Sequence, residues 1–273
     1  MSFTLQQSDS QLWYGYFPAL NIGPVIHGIS TRTGGRSKAP YSSLNLGMHI
    51  GDDGVAVRLN RQLFCNALGI QAERVVTAEQ VHGTAVAVID QTHAGRGALD
   101  YSDSIPAADA LITNVPGIPL MLFFADCVPI LIVDPVNWAV GVVHAGWKGT
   151  AGSIVAETLQ AMHRRYGTEP RQCLAGIGPA IGPCCYEVDE NLAGIWRQRF
   201  PHEAQLLVPR SENRWLLDLW SSNRWQLEEC GLASGHIYSS STCTACHTSH
   251  FFSHRAEMGS TGRHGALIAL RNK

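Results

Sequence analysis

Three short segments of the chain each place a side chain that can bind a metal beside an apolar run and a turn. They are QVHGT around His82, FADCVP around Cys127 and VVHAGWKGT around His144. Zinc accepts imidazole nitrogen and thiolate sulfur, and a catalytic site keeps a fourth position for water, whereas a structural site has four protein ligands. The segments therefore offer a candidate catalytic zinc site. Gaps of 45 and 17 residues match no compact ligand motif, so ordinary histidines at strand ends are the alternative.

The segment HAGWKGTAGS, residues 144–153, is a candidate anion site. Its three glycines let the backbone approach a ligand, Lys148 brings a positive charge, and the start of a helix attracts anions. The pattern is not a Walker A motif, so a plain glycine-rich connection between strand and helix is an equal alternative. Arg255 and Arg263, in FFSHRAEMGSTGRHG, are similar cations on a loop, and each taken singly also fits a solvated surface arginine.

The eight cysteines are expected to be thiols, metal ligands or core residues, because no export signal is recognised and the cytosol keeps thiols reduced. The segment CTACH, residues 243–247, formally matches the attachment motif of c-type haem, which the missing export signal disfavours. Its two cysteines either form a second zinc site with His250 and His254 or remain a reduced pair in a loop. The adjacent Cys184 and Cys185 either line a pocket or simply pack.

The elements that must position these residues follow from apolar periodicity. Turn formers predict a long loop over residues 31–47, and helical spacing predicts a helix over about 54–68. Strands are predicted on either side of His82-Gly83, within 107–135 and over 138–146, with a turn at 134–137. Further helices are expected within 152–167, 189–200 and 219–230, and a last strand at 265–271. Strands that adjoin as hairpins break strict β-α-β alternation, so we expect an α+β fold with a mixed sheet.

The whole chain has the composition of a globular protein, with 273 residues, 45% hydrophobic and 15% charged side chains. Its formal net charge of -2 gives no electrostatic footprint for nucleic acid or an anionic membrane, so a small-molecule partner is expected. No apolar run approaches the roughly 20 residues that span a bilayer, and a cytoplasmic protein is expected. Without repeats or long linkers, residues 1–273 are predicted to form a single domain, as a monomer or a homodimer.

A set of motifs, in order along the chain, resembles the bacterial YfiH/YlmD family of laccase-domain, or polyphenol-oxidase-like, proteins. The motifs are TRTGGRS, SLNLG, NRQ, EQVHG, ADCVPILI, HAGWKGT, GIGPAIGPCCYEV and FFSHR followed by GSTGRHGALI. The resemblance implies a zinc centre of the His-Cys-His type at His82, Cys127 and His144. It also implies a four-layer α/β/β/α sandwich, like that of cysteine-histidine deamidase toxins of the cytotoxic necrotising factor type.

For activity, the resemblance implies phosphorolysis of adenosine, inosine, guanosine and 5′-methylthioadenosine to the free base and ribose 1-phosphate, and deamination of adenosine to inosine. Purine nucleoside and phosphate are then the expected partners, and Zn²⁺ the expected metal, although Cu²⁺ also suits a set of two histidines and one cysteine. Substrate contacts are expected from Asn45, Arg61, Lys148, Arg255 and Arg263.

Three other functions compete with this expectation. In the first, Cys127 is a nucleophile activated by His144 in an amide hydrolase that edits a peptidoglycan precursor. In the second, the protein is a copper-dependent polyphenol oxidase, which the absence of any His-X-His pair disfavours because a trinuclear copper cluster needs several. The third is a metal or nucleotide binding module without turnover. No general base is assigned, and Glu187 and Asp126 are candidates only because they lie near the motifs.

Overall fold

The computed structural model describes residues 3–9, 11–201 and 204–271, and its strands form three sheets. The first is a five-stranded antiparallel sheet. Its strands, in spatial order, are β1 (Thr4–Gln7), β2 (Trp13–Tyr16), β3 (Val25–Ser30), β14 (His264–Leu270) and β6 (Leu120–Phe124). The last strand of the chain therefore lies inside this sheet, as the apolar run at 265–271 predicts.

The second sheet is six-stranded and mixed. Its order is β13 (Ile237–Ser239), β9 (Leu174–Ile177), β7 (Val128–Asp134), β8 (Ala139–Ala145), β5 (Ala110–Thr113) and β4 (Val86–Val88). The two outermost pairs are parallel and the inner pairs antiparallel. A small third sheet has the order β10 (Glu187–Asp189), β12 (Arg214–Leu217) and β11 (Leu207–Ser211). The α+β class and the mixed sheet expected from the sequence are confirmed.

Five α-helices occur in the described ranges: α1 (Gly54–Ala67), α2 (Trp147–Ala151), α3 (Ile154–Tyr166), α4 (Glu190–Arg199) and α5 (Leu219–Glu229). The helices predicted over 54–68, 152–167, 189–200 and 219–230 are thus present within a residue or two of their expected ends. Helix α1 begins where the side chain of Asp53 accepts a hydrogen bond from the Val55 N–H, a normal N-cap. Its buried residues recur every three to four positions and lie against the first sheet.

Three apolar cores pack the sheets and helices against one another. One core joins the five-stranded and six-stranded sheets, with residues such as Ile29 and Leu122 facing Leu131 and Val142. A second core covers the outer face of the six-stranded sheet with α3, α4 and α5, and a third covers the outer face of the five-stranded sheet with α1. Because β7 and β8 lie between two cores, all their residues are buried, which explains their continuous apolar runs.

One local expectation was wrong, and one short helix was missed. Residues 75–78 form only isolated bridges, from Val76 to Leu120 and from Ala78 to Ile105, so β4 is the only strand beside His82 in the described part of the chain. The five-residue helix α2, which contains Lys148, was not predicted. The long helix α3 begins only at Ile154, after Ser153 takes a left-handed conformation with φ 65°. Local apolar character cannot separate a strand from an extended loop covered by its neighbours.

Candidate metal centre and its pocket

The side chains of His82, Cys127 and His144 converge, with their ligand atoms all within 4.8 Å of one another. Cys127 lies directly before β7, and His144 lies in β8, where it pairs with Pro129 of β7. The antiparallel pairing of these two strands therefore brings together two ligands that are 17 residues apart. His82 reaches them from the loop before β4. The rings of His82 and His144 meet edge to face, with centroids 4.8 Å apart.

The hydrogen bonds of two side chains, Gln80 in the loop and Asp109 outside it, hold the loop that carries His82. The amide of Gln80 both accepts from the Phe123 N–H and donates to the Phe123 carbonyl, each at 2.8 Å, which attaches the loop to β6. The carboxylate of Asp109 accepts hydrogen bonds from the main-chain N–H groups of Val81, His82 and Gly83. His82 itself has φ 61°, a conformation that costs a residue with a side chain about 1–2 kcal/mol, so these bonds hold it there.

Asp109 also orients the second histidine. Its Oδ1 lies 2.8 Å from Nδ1 of His144, and both side chains are buried. A carboxylate accepts from a protonated Nδ1. When the imidazole is neutral, as a metal ligand must be, Nε2 therefore carries the lone pair and faces the thiol of Cys127. One buried carboxylate thus positions two of the three candidate ligands.

Gly146, the first glycine of HAGWKG, leaves room for the side chains of the candidate metal ligands. A Cβ added at Gly146 would lie 2.8 Å from Sγ of Cys127 and 3.2 Å from Cδ2 of His82. We expected this glycine to let the backbone approach an anion, but its neighbours in the structure are the candidate metal ligands themselves. This role of Gly146 depends on how the segments around His82, Cys127 and His144 pack together, which the sequence does not show.

The electrostatic environment favours the thiolate of Cys127. Burial raises the pKa of this thiol, but the imidazoles of His144 and His82 outweigh burial and lower the pKa to about 6. For His144, burial lowers the pKa, whereas the Cys127 thiolate and Asp109 raise it to about 9. Thiolate sulfur and imidazole nitrogen are ligands for Zn²⁺ and for copper, and both metals fit this donor set.

The three residues lie in the wall of an open pocket of about 400 Å³. This volume is typical of a small-molecule site. Aromatic rings of Phe123, Trp147 and Tyr186 line it, together with the cations of Arg255 and Arg263. His49 also lines it, and burial, reinforced by the charges of Arg263 and Arg61, lowers the pKa of His49 to about 4. Its neutral ring therefore offers one donor and one acceptor near neutral pH.

Comparison with known proteins gives the family of the chain. A family model described as "Multi-copper polyphenol oxidoreductase laccase" matches residues 26–271. The chain is 42% identical over 250 residues to "Purine nucleoside phosphorylase YlmD" of Geobacillus stearothermophilus, covering 91% of both chains. The protein of the same name from Bacillus subtilis is 38% identical over 252 residues, covering 92% of this chain and 90% of that protein. The chain belongs to the YfiH/YlmD laccase-domain family.

A solved structure of a laccase-domain protein shows the same fold. The crystal structure of YlmD from Geobacillus stearothermophilus superimposes with a TM-score of 0.93 at 39% identity, covering 98% of this chain and 99% of that one. No helix in the described part of the chain is long and apolar enough to cross a membrane.

The substrate-binding residues predicted for a laccase-domain protein divide into two groups. Arg255 and Arg263 line the pocket, whereas Asn45, Arg61 and Lys148 are not among the residues that line it. Asn45 is fully buried, and its amide binds the main chain of Gly47 and Arg263 and the carboxylate of Asp52.

Arg61 is buried, and its guanidinium donates to the carbonyls of Leu46, Gly97 and Ala98 and lies 4.6 Å from the centre of the Phe123 ring. It therefore supports a ring of the pocket wall from behind. Lys148 is exposed on α2, with its ammonium 5.6 Å from the ring of Trp147.

The two acidic residues near the motifs also differ in position. Asp126 lines the pocket, but its carboxylate accepts from the Thr244 hydroxyl at 2.5 Å and from the Arg255 N–H at 2.8 Å. Glu187 does not line the pocket, and its carboxylate lies 3.1 Å from Nε of Arg210. Asp109, which organises the histidines, is the residue that sequence reasoning missed. Its only local signal is an acidic side chain inside the apolar segment AADALIT.

Proposed function

We propose that this chain is a metal-dependent purine nucleoside phosphorylase. The observation that carries the proposal is one pocket in which a converging His-Cys-His set, aromatic rings and two arginines face the same cavity. The relatives in Geobacillus stearothermophilus and Bacillus subtilis are named for this activity. Phosphorolysis needs a flat apolar contact for the purine, cationic groups for phosphate and polar groups at the ribose, and the cavity wall offers each of these classes.

Each group of lining residues has a proposed role. The rings of Phe123, Trp147 and Tyr186 offer faces on which a purine can stack. Arg255 and Arg263 neutralise the phosphate and hold it below the ribose. Holding both reactants in one cavity replaces a collision in solution by an oriented approach, which is a main source of rate acceleration in group transfer.

The proposed reaction is a displacement at the ribose C1′. The bond from C1′ to the purine N9 breaks, and the purine leaves with the bonding electrons. A phosphate oxygen forms the new bond to C1′, and the proton that hydrogen phosphate gives up balances the proton that the purine gains. The developing positive charge on the ribose is stabilised by the anion that Arg255 and Arg263 position beside it.

We propose zinc as the metal, with His82, Cys127 and His144 as its ligands. The fit rests on the donor set and on Asp109, which holds His144 with Nε2 directed to the thiol. When bound, zinc would supply a Lewis acid in the pocket wall. Copper also suits this set. The description of the family names multi-copper chemistry, but the groups found among the described residues contain two histidines in total, fewer than a trinuclear copper cluster requires.

The proposed substrates are adenosine, inosine, guanosine and 5′-methylthioadenosine, with deamination of adenosine as a second activity of the same site. Stacking on aromatic rings does not depend on the substituent at purine C6, so it supports a range of purines. Deamination exchanges the C6 amino group for oxygen from water and releases ammonia. It would therefore need no phosphate, which separates the two activities in an assay.

A second candidate is an amide hydrolase, and a specific geometry supports it. Asp109, His144 and Cys127 stand in the order acid, imidazole and thiol, with Asp109 Oδ1 2.8 Å from Nδ1 of His144 and the imidazole hydrogen-bonded to the thiol. This is the arrangement of a cysteine hydrolase. A fold like that of the deamidase toxins, which the family resemblance implies, would accord with this second candidate. A tightly bound zinc would oppose it, because metal coordination blunts the thiolate as a nucleophile.

Chromatography of nucleosides tests the proposal. Purified protein is incubated with adenosine with and without phosphate, beside the variants His144→Ala and His163→Ala. His163 is a matched control because it lies on α3, outside the pocket lining. We expect adenine and ribose 1-phosphate only with phosphate, in the parent protein and in His163→Ala but not in His144→Ala. If no nucleoside is consumed under any condition, the phosphorylase proposal fails and amide hydrolysis becomes the better explanation.

A further inference from the structure

A second cluster of metal-binding side chains lies outside the His-Cys-His set. The sulfur atoms of Cys184, Cys185, Cys243 and Cys246 all lie within 4.8 Å of one another. Sγ of Cys246 is 3.4 Å from that of Cys185 and 3.6 Å from that of Cys184. The first pair lies in the loop after β9, and the second pair in the loop after β13.

We propose that these four thiols bind a structural Zn²⁺ ion. Four thiolates are a normal closed ligand set for structural zinc, with metal to sulfur distances of about 2.3 Å. A tetrahedron of that size has edges of about 3.8 Å, so only small movements of the thiols are needed. The partners of Cys243 and Cys246 are thus two cysteines. His250 and His254, which the sequence suggested, are not part of this group.

Backbone hydrogen bonds hold the two loops together independently of any ion. The N–H of Ala180 donates to the carbonyl of Thr242, and the N–H of Thr244 donates back to the carbonyl of Ala180. Sγ of Cys243 accepts from the N–H of Gly182 at 3.2 Å and from the N–H of Cys246. Hydrogen bonds to sulfur favour the thiolate, which is the form that binds a metal.

Ordinary packing does not explain the cluster. Cysteines that serve as small apolar residues are buried, as Cys65 and Cys173 are in this chain. Within the quartet, however, Cys184 and Cys246 are exposed, Cys185 is half-buried and only Cys243 is buried. The sulfurs also stand much farther apart than the roughly 2.05 Å of a disulfide.

The same two loops form part of the wall of the catalytic pocket. Next to Cys185, Tyr186 lines the pocket, and the guanidinium of Arg255 donates to the carbonyls of Cys185 and Glu187, each at 3.2 Å. Thr244, between Cys243 and Cys246, donates its hydroxyl to the pocket residue Asp126. A zinc ion here would be a positioning element for this wall, whatever substrate the pocket takes.

Metal analysis of four proteins tests this site. The parent chain is expected to hold two zinc ions, one at each cluster. Cys246→Ser should keep only the zinc ion at the His-Cys-His set, and Cys127→Ser should keep only the zinc ion at the four cysteines. Cys230→Ser is the matched control, because this half-buried thiol lies at the end of α5 and belongs to neither cluster, and it should hold two. The readout is metal content, so it does not depend on the proposed phosphorylase activity.

Alkylation of the unmutated protein gives the same answer without relying on a variant that folds. We expect peptide mapping to show Cys184, Cys185, Cys243 and Cys246 protected until a strong chelator is added, and then modified together. The proposal is overturned if the parent chain holds a single zinc that Cys127→Ser removes and Cys246→Ser retains. It is equally overturned if the four thiols react fully without chelator, are found as disulfides, or hold iron instead of zinc.

Discussion

Replacing Asp109 by Asn tests whether one buried carboxylate assembles the proposed metal centre. Oδ1 of Asp109 accepts from Nδ1 of His144 and from the N–H of His82, and Oδ2 accepts from the N–H groups of Val81 and Gly83. An asparagine has one amide oxygen and one amide nitrogen. Whichever way its side chain turns, an NH₂ group meets two donors, so two of the four hydrogen bonds that the carboxylate accepts cannot form as they stand.

The two orientations damage the site differently. With nitrogen in the place of Oδ2, the loop that carries His82 loses two of its three bonds to residue 109. With nitrogen in the place of Oδ1, Nδ1 of His144 must become the acceptor, so the proton moves to Nε2, which then cannot bind a metal. Hydrogen bonds to a charged group contribute about 1.5–3 kcal/mol each, and loss of a partner behind a metal-bound histidine typically weakens metal binding by about 10–100-fold.

Competition with a zinc chelator of known affinity measures this effect. We expect Asp109→Asn to bind zinc about 10–100-fold more weakly than the parent protein. The matched control is Asp134→Asn, at the opposite end of β7, where a fully buried carboxylate accepts from the N–H groups of Val136 and Asn137. It should lose stability but keep its zinc affinity. Unchanged zinc binding in Asp109→Asn, or an equal loss in Asp134→Asn, would refute the reasoning.

Three further predictions address the rest of the molecule. Gly146→Ala places a methyl group 2.8 Å from Sγ of Cys127 and should weaken zinc binding roughly 10–100-fold by chelator competition, whereas Gly194→Ala, with no atom within 4 Å, should not. If Arg263 holds phosphate, Arg263→Ala should raise KM for phosphate about 10–100-fold and leave KM for adenosine unchanged; equal rises would contradict that role. Burial lowers the pKa of His27 to about 4, so its contribution to stability falls as pH drops from about 6.5 toward 4, because the unfolded chain binds the proton first. In urea titrations between pH 7 and pH 5, His27→Asn should lose about 2 kcal/mol less than the parent protein, and parallel losses would contradict this.

The proposed sites also separate two uses of cysteine in one chain. Cys127 lies in a set of three ligands that opens into the pocket, whereas the second cluster provides four sulfurs and stands behind the wall. Three ligands leave a metal position for a reactant, and four close the coordination sphere. The number of ligands therefore predicts a catalytic metal at the first site and a structural metal at the second.

The sequence by itself determined most of the helices and strands and indicated the candidate ligands. Apolar periodicity predicted the helices over about 54–68 and within 152–167, and the buried strands on either side of the turn at 134–137, because these patterns reflect burial on one face or on both. The motifs around His82, Cys127 and His144 indicated the candidate ligands, since imidazole and thiolate beside small residues limit the chemistry to a few metals.

Only the tertiary structure decided which distant residues meet. Asp109 and His144 are brought together because β5 pairs with β8, and nothing within either segment encodes that contact. The four cysteines come from two pairs, about 60 residues apart, that β9 and β13 place side by side. Asn45 and Arg61 were expected to contact the substrate, yet long-range packing buries both and gives both of them main-chain hydrogen-bond partners. Residue types set the chemistry that is available, and the pairing of strands set which residues carry it out.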